Sequence, residues 1–396
     1  MKYLMFVGDG MADEAQQALG GKTPLAYLSE NGELPGMARL AGGEMIRVRT
    51  CPAGLPAGSD VAFLSLLGQT PATCYTGRSP LEAAGEGVSL QAGEVSLRVN
   101  LITEKNGCMH SYNGSGIGGP AAQTMVEDLI RDPEFASLME KVGMRIKATD
   151  TFRHVAVLRG GDMPFDLTPA HDITGEVLEK YLPRGQFAKE LTDLQNRAHE
   201  FLSAHPLNRG RENPANGIWF WGAGSAAKLN DFSLYGKTGA VVTAVPLVRG
   251  IARLAGLDAE KIPGATGELE TNFTGKVEAT LRLLKDHDFV LLHMEAPDDQ
   301  SHLGSLEGKL EAIRRLDSLL IAPVLKAMDE AGEDFRAMVL PDHYTLLSTK
   351  THDGTPIPCA LYDSRMAGEP RPFCEALCEN EPVLEEGHKL IERLWA

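Results

Sequence analysis

Short apolar runs recur along the chain, and each closes on glycine, proline or aspartate. Residues 3–7 (YLMFV) lead into Gly8, Asp9 and Gly10, residues 289–292 (FVLL) into HMEAPDD, and residues 337–340 (AMVL) into Pro341, Asp342 and His343. Residues 217–221 (GIWFW) and 240–245 are two more such runs. Uninterrupted runs of this length suit strands covered on both faces, as in a parallel sheet. Between them the apolar spacing turns helical. Residues 247–255 keep a 3.6 period, residues 276–284 are amphipathic, and residues 310–328 set Leu310, Ile313, Leu316 and Leu320 on one stripe. Strand and helix alternating in this way predict a doubly wound α/β layer.

The middle of the chain reads differently. From residue 75 to residue 211 it is broken by glycine and alternates more than it runs. Residues 97–103 and 152–160 read as strands, 121–130 and 187–203 as helices. This predicts a smaller α+β domain, 75–211, inserted into a discontinuous α/β domain made of 1–74 and 212–396. A length of 396 residues exceeds what one core usually supports.

The chemistry gathers after the strands. Asp9 follows the first run, Asp298 and His302 follow FVLLHMEAP, Asp342 and His343 follow AMVLP, and His352 lies in the next loop. Ligands of an open α/β sheet bind beyond the carboxyl ends of its strands. An aspartate after a strand is often only the N-cap of the next helix, and a lone histidine in a turn is usually surface. Three strands delivering carboxylate and imidazole to one edge is harder to explain that way. Asp298 and His302, four apart, share a helix face. Hard carboxylates with imidazoles suit Mn, Zn, Fe or Mg-like divalent ions, and six such groups are enough for two ions. Ser59 follows Gly58 ahead of an apolar helical run. Alone it reads as an N-cap. Beside a metal cluster the same hydroxyl, facing free backbone N–H groups, becomes a nucleophile for phosphate.

GDGMAD, PAGSDVA, EAPDDQSH, PDH and the His352 loop, in this order, resemble the alkaline-phosphatase superfamily. More narrowly the chain resembles the archaeal-type cofactor-independent phosphoglycerate mutases, including a bacterial subgroup proposed as homoserine kinases. LGGKTPLAY, TGRSPLEAAGEGVSL, RVNLIT, PANGIWFWGAG, GATGELETN and THDGTPIP extend the match end to end. The resemblance implies an alkaline-phosphatase-like sheet with an inserted substrate-binding cap, and the glycolytic interconversion of 3- and 2-phosphoglycerate through a phosphoserine on Ser59. It implies two divalent ions, Mn first and Zn, Mg, Co or Fe as alternatives, and no 2,3-bisphosphoglycerate. One ion would be held by Asp298, His302 and His352, the other by Asp9, Ser59, Asp342 and His343. Lys237 would point at the phosphate, and Arg153, His154, His171 and Asp172 would line the substrate cleft. One stretch departs from the pattern: family members often carry a basic or histidine residue in a segment like DYSAGHI, where this chain reads SYNGSGIGG (111–119).

Composition narrows the partners. A net charge of −16 repels nucleic acid and anionic membrane, so neither is expected as a partner; the resemblance implies a small phosphorylated metabolite, and a homo-oligomer is compatible with the sequence. The first residues lack the long apolar core of a signal peptide, and six cysteines with no C-x-x-C pair fit a reduced, cytoplasmic protein. Rival readings keep the chemistry and change the substrate (a homoserine-kinase-like phosphotransferase, a phosphopentomutase or a phosphatase), or regard the chain as an inactive scaffold. Gly222, Gly224 and Ala227 fit a dinucleotide fingerprint, but that motif also needs an acidic residue about 20 positions on, and residues 243–250 hold none.

Overall fold

The computed structural model describes residues 1–160, 165–366 and 368–396. It divides into one unit formed by Met1–Tyr75 with Lys228–Ala396 and a second formed by Thr76–Ala227.

The first unit is built on a seven-stranded sheet in the order Gly239–Val242, Phe289–Met294, Lys2–Gly8, Phe335–Leu340, Ile357–Asp363, Glu44–Val48, Val383–Leu384. The first four strands run parallel, and Ile357–Asp363 is antiparallel to both its neighbours. The apolar runs sit where their length predicts. Every residue of Phe289–Met294 is buried, as is all but the first of Lys2–Gly8, because helices cover both faces of a parallel layer. Leu4, Phe6, Val290, Leu292 and Val339 pack into a cluster with Leu283, Ile313, Leu316 and Leu320 from the helices.

The helical patterns appear as Pro246–Leu254, Phe273–Asp286 and Leu306–Arg315. The long stripe expected over 310–328 is interrupted by a π-helical turn, Leu316–Ile321, before Ala322–Ala331 resumes. Asp317 explains the interruption. It is buried in that turn, and its carboxylate accepts the backbone N–H of Gly36 (3.0 Å) and of Met37 (2.6 Å), the orphan donors at the start of Pro35–Ala41. Burial pushes the Asp317 carboxyl up to about 6.

The second unit carries Glu94–Lys105 flanked by Arg153–Arg159 and Gly217–Ser225, both antiparallel to it, with Cys108–Ser111 and Arg145–Lys147 outside. Helices Gly119–Arg131, Pro133–Lys141 and Ala188–Ser203 bury Met125, Leu129, Phe135, Leu191 and Leu194 against Leu97, Val99, Ala156 and Phe220. The far boundary of this unit therefore falls later than residue 211. Gly217–Ser225, which the sequence pattern assigns to the parallel layer, pairs with Glu94–Lys105 instead. Its apolar run looks parallel because both faces of this strand are covered too. Gly222 and Gly224 lie inside that strand rather than in a strand-to-helix turn, so the phosphate cradle of a dinucleotide site is missing at this motif.

Phe6 is fully buried in strand Lys2–Gly8. Phe6→Ala is expected to cost about 3–5 kcal/mol, read as a drop in urea midpoint without change of slope; a loss below about 1 kcal/mol would contradict the packing described.

Candidate metal centre

Strand register brings the chemistry to one rim. Gly8 is level with Met294, and Val7 with Leu340, so Asp9, the Pro341-Asp342-His343 turn and the start of helix Ala296–Leu303, which carries Asp298 and His302, leave the sheet side by side. The small hairpin Tyr344–Leu346/Thr351–Asp353 sets His352 opposite Thr345. Gly10 is required at this crowded point. Its φ is +57°, and a Cβ there would lie 2.4 Å from Thr345 Oγ1 and 2.7 Å from Asp298 Oδ1. Its N–H donates to Asp342 Oδ1 at 3.0 Å.

All seven residues expected at a metal centre lie together here. His302 Nε2 is 3.2 Å from Asp298 Oδ2 and 3.0 Å from His352 Nε2, which is 3.4 Å from Asp298 Oδ1. Beside them, His343 Nε2 is 3.2 Å from Asp342 Oδ2, 3.6 Å from Asp9 Oδ1 and 3.1 Å from Ser59 Oγ. His343 also groups with Asp298 and His352, with ligand atoms all within 4.8 Å, so it stands between the two sets. Ser59 is the first residue of helix Ser59–Leu66. Gly58 takes the cap position, and the serine hydroxyl is directed at His343 instead of the helix backbone.

The electrostatics ask for a cation. Burial, with Asp342 and Asp298 alongside, raises the Asp9 carboxyl well above the ordinary range, and burial pushes Asp342 up to about 6. Burial opposes ionisation of Asp298 as well, but hydrogen bonds from His302 and His352 outweigh it and hold that carboxyl well below its usual value. His302 is raised to about 9: burial works against its charge, and Asp298 more than compensates. Burial keeps His343 neutral. Asp9 Oδ1 and Asp342 Oδ2 are buried and take no hydrogen bond. Around His343 the hydrogen-bond network assigns the tautomer. Thr345 Oγ1 donates to Asp298 Oδ1 at 2.6 Å and lies 3.1 Å from His343 Nδ1, and the Tyr344 carbonyl is 3.3 Å from that same nitrogen. Both can accept from Nδ1–H, which leaves the Nε2 lone pair facing Asp9, Asp342 and Ser59. Carboxylate oxygens without donors, converging with an imidazole lone pair, are the donor set a divalent ion requires.

The remaining expected residues divide. Lys237 is not at this rim. It precedes strand Gly239–Val242, with Nζ 5.3 Å above the Tyr3 ring, at the amino end of the sheet. At roughly 3.3 Å per residue that is about 20 Å along the strand from Asp9. Arg153 and His154 alternate on one strand and so face opposite sides of their sheet. Arg153 faces buried Glu82, whose ionisation burial opposes but Arg98, Arg78 and Arg153 sustain. His154 turns the other way, toward the face where Ala156 and Leu158 pack. Its Nδ1 accepts the Thr149 N–H at 3.0 Å, and burial pushes it down to about 3, so it is a core histidine. His171 sets its ring edge-on to Trp221 at 5.2 Å, the ring over which Arg98 lies at 4.4 Å, and Asp172 pairs with His171 at 3.4 Å. Arg78 and Arg98 were not singled out by the sequence pattern. Neither was His293, fully buried 2.9 Å from Asp9 Oδ2, nor Lys276, whose Nζ lies 3.4 Å from the His293 carbonyl and which burial pushes down to about 8. A histidine inside the otherwise apolar FVLLHM run was the available signal.

Residues 41–208 match the model of a family described as 2,3-bisphosphoglycerate-independent phosphoglycerate mutase. A protein of that name from Methanosarcina acetivorans is 43% identical over 91% of this chain and 90% of its own. The chain belongs to the 2,3-bisphosphoglycerate-independent phosphoglycerate mutase family. Another member by name, from Methanothrix thermoacetophila, is 39% identical over all of both chains. A solved Pyrococcus horikoshii protein superposes with a TM-score of 0.74 at 27% identity, covering 99% of this chain and 96% of its own. A cofactor-independent phosphoglycerate mutase from Thermoplasma acidophilum shares the fold with a TM-score of 0.58 at 23% identity, covering 100% and 99%. The chain is thus an enzyme of the isomerase class, with the α/β architecture of this mutase family. No helix among the described residues is long and apolar enough to cross a membrane.

The raised Asp342 carboxyl has a consequence for the metal-free protein. Its folded value of about 6 exceeds the roughly 3.9 of an unfolded aspartate. The unfolded chain therefore releases this proton first, and stability falls as pH rises from about 4 to about 6, then stays lower. In the presence of chelator, Asp342→Asn is expected to melt above the unsubstituted protein at pH 8 and to show little difference at pH 4. Equal melting at both pH values would refute the buried-charge account.

Proposed function

We propose that this mutase interconverts 3-phosphoglycerate and 2-phosphoglycerate through a phosphoserine on Ser59, without 2,3-bisphosphoglycerate. The observation that carries the reading is the Ser59 hydroxyl, at the start of its helix and 3.1 Å from His343 Nε2, on the same rim as three buried carboxylates. Asp298, His302 and His352 would hold one divalent ion, Mn in the first instance, and Asp9, Ser59, Asp342 and His343 a second; when bound, these supply positive charge that lowers the serine pKa and neutralises the phosphoryl oxygens.

Ser59 Oγ attacks phosphorus in line, the Oγ–P bond forms, and the ester bond to the glycerate oxygen breaks. Glycerate stays bound and turns. Its other hydroxyl attacks the phosphoserine, and Ser59 Oγ leaves. Free backbone N–H groups at the start of Ser59–Leu66 favour the negative charge on that oxygen. Arg153 and His171, which the family resemblance implies as substrate contacts, remain part of this reading. Guanidinium matches phosphate and carboxylate in geometry.

A second reading keeps the chemistry with another phosphorylated substrate. It is favoured by the segment 111–119, where Ser111, Asn113 and Ser115 bond to one another through the Ser111 and Asn113 side chains and offer no histidine. Assay of the purified protein coupled through enolase separates the two, because only 2-phosphoglycerate gives signal. Ser59→Ala is expected to lower turnover by at least about 10⁴-fold while leaving the melting profile intact, by analogy with loss of a covalent nucleophile. A variant that retains mutase activity overturns the phosphoserine route.

A further inference from the structure

One oxygen of Asp9 is held by a residue that is not among those that the family reading assigns. Val7 pairs with His293 across two neighbouring parallel strands, and His293 Nε2 lies 2.9 Å from Asp9 Oδ2. The other ring nitrogen, Nδ1, is 2.9 Å from Thr243 Oγ1, which accepts the Val245 N–H at 3.0 Å. A hydroxyl that accepts there has its own proton to give, and the arrangement that satisfies every atom has Thr243 donating to Nδ1. His293 then carries its proton on Nε2 and donates it to Asp9 Oδ2. The imidazole is wholly buried and Thr243 nearly so, and the ring stands edge-on to Phe63 at 4.9 Å, a residue of the Ser59 helix. Lys276 Nζ reaches the His293 carbonyl at 3.4 Å. The ring therefore has little freedom to turn.

The consequence falls on the other oxygen. With Oδ2 committed to His293, Asp9 offers Oδ1 to the site, and Oδ1 is the buried atom that takes no hydrogen bond. Asp298 is supported differently, by the Thr345 hydroxyl at 2.6 Å, so these two carboxylates have separate anchors. We infer that His293, oriented by Thr243, is a positioning residue that makes Asp9 a single-oxygen ligand and so governs one of the two ion sites and not the other. Carboxylate ligands of metals are commonly held by such outer hydrogen bonds. The inference rests on the two-ion reading proposed above.

The test is Mn²⁺ binding to the metal-stripped full chain by calorimetric titration, with bound metal counted after dialysis. The unsubstituted protein is expected to take two ions. His293→Ala should weaken one by about 10–100-fold, the cost typical of losing an outer-shell partner, and leave the other unchanged. Thr243→Val, which keeps the imidazole and its packing, should weaken the same ion, and Thr243→Ser, which restores the hydroxyl, should recover it. In a His302→Ala background, which removes a ligand of the other set, His293→Ala should weaken the one tight ion that remains by the same about 10–100-fold. Two ions bound alike by the unsubstituted protein, His293→Ala and Thr243→Val would overturn the positioning role while leaving the two-ion reading intact, as would equal weakening of both ions. An unsubstituted protein that takes up no ion would overturn the two-ion reading and this inference with it.

Discussion

Three carboxylates, Asp9, Asp298 and Asp342, are buried within a few ångströms of one another at the carboxyl edge of a parallel sheet. Like charges taken out of water repel strongly and lose their hydration, so a fold keeps such a cluster only if something returns the energy. His302 and His352 do this for Asp298. For Asp342 the nearest imidazole, His343, is held neutral by burial and turns a lone pair toward Asp342 and Asp9, and the His293 ring at Asp9 Oδ2 is kept neutral by burial as well. Added positive charge would complete the set. The surroundings follow from that need: Gly10 leaves room where a side chain would collide, Thr345 joins His343 to Asp298, and helix Ser59–Leu66 presents its first hydroxyl to the same point.

How much of this was legible in the sequence depended on whether the signal was local. Runs such as FVLL and AMVL announce buried strands because length and hydrophobicity suffice, and the residues just beyond them had to share a rim once the strands were parallel. Asp9, Asp298, His302, Asp342 and His343 could be picked out for that reason, whereas Ser59 reads alone as an N-cap and His352 lies in a later loop, and both stood out through the neighbouring cluster and the family resemblance. Lys237 could not be placed in the same way. It precedes its strand instead of following it, and direction along a strand decides which end of the sheet a residue reaches. His154 was misread as a cleft residue because period-2 alternation sends it into the helix-packed core while Arg153 goes to the other face. The strand Gly217–Ser225 was assigned to the wrong layer because an apolar run records burial on both faces and not the identity of its neighbours. His293 and Thr243 escaped notice because a hydrogen bond between adjacent strands leaves no mark in spacing.

The chain is acidic, with a net charge of −16, yet its reading is that of an enzyme for anions. The second unit shows how the two are compatible. Arg78, Arg98 and Arg153 surround the buried carboxylate of Glu82, with Arg98 stacked on Trp221. Three guanidinium groups around one carboxylate make a local excess of positive charge in a chain whose net charge is negative. A guanidinium stacked on an aromatic ring and braced by a carboxylate is already oriented, so it loses little entropy on meeting an anion.

The most direct test of the central claim is a crystal of the protein grown with Mn²⁺, with anomalous differences recorded on either side of the Mn absorption edge. Two anomalous peaks are expected at the sheet rim, one among Asp298, His302 and His352 and one among Asp9, Ser59, Asp342 and His343. A rim without anomalous density, with the three carboxylates turned to separate surfaces or neutralised by side chains alone, would contradict the account.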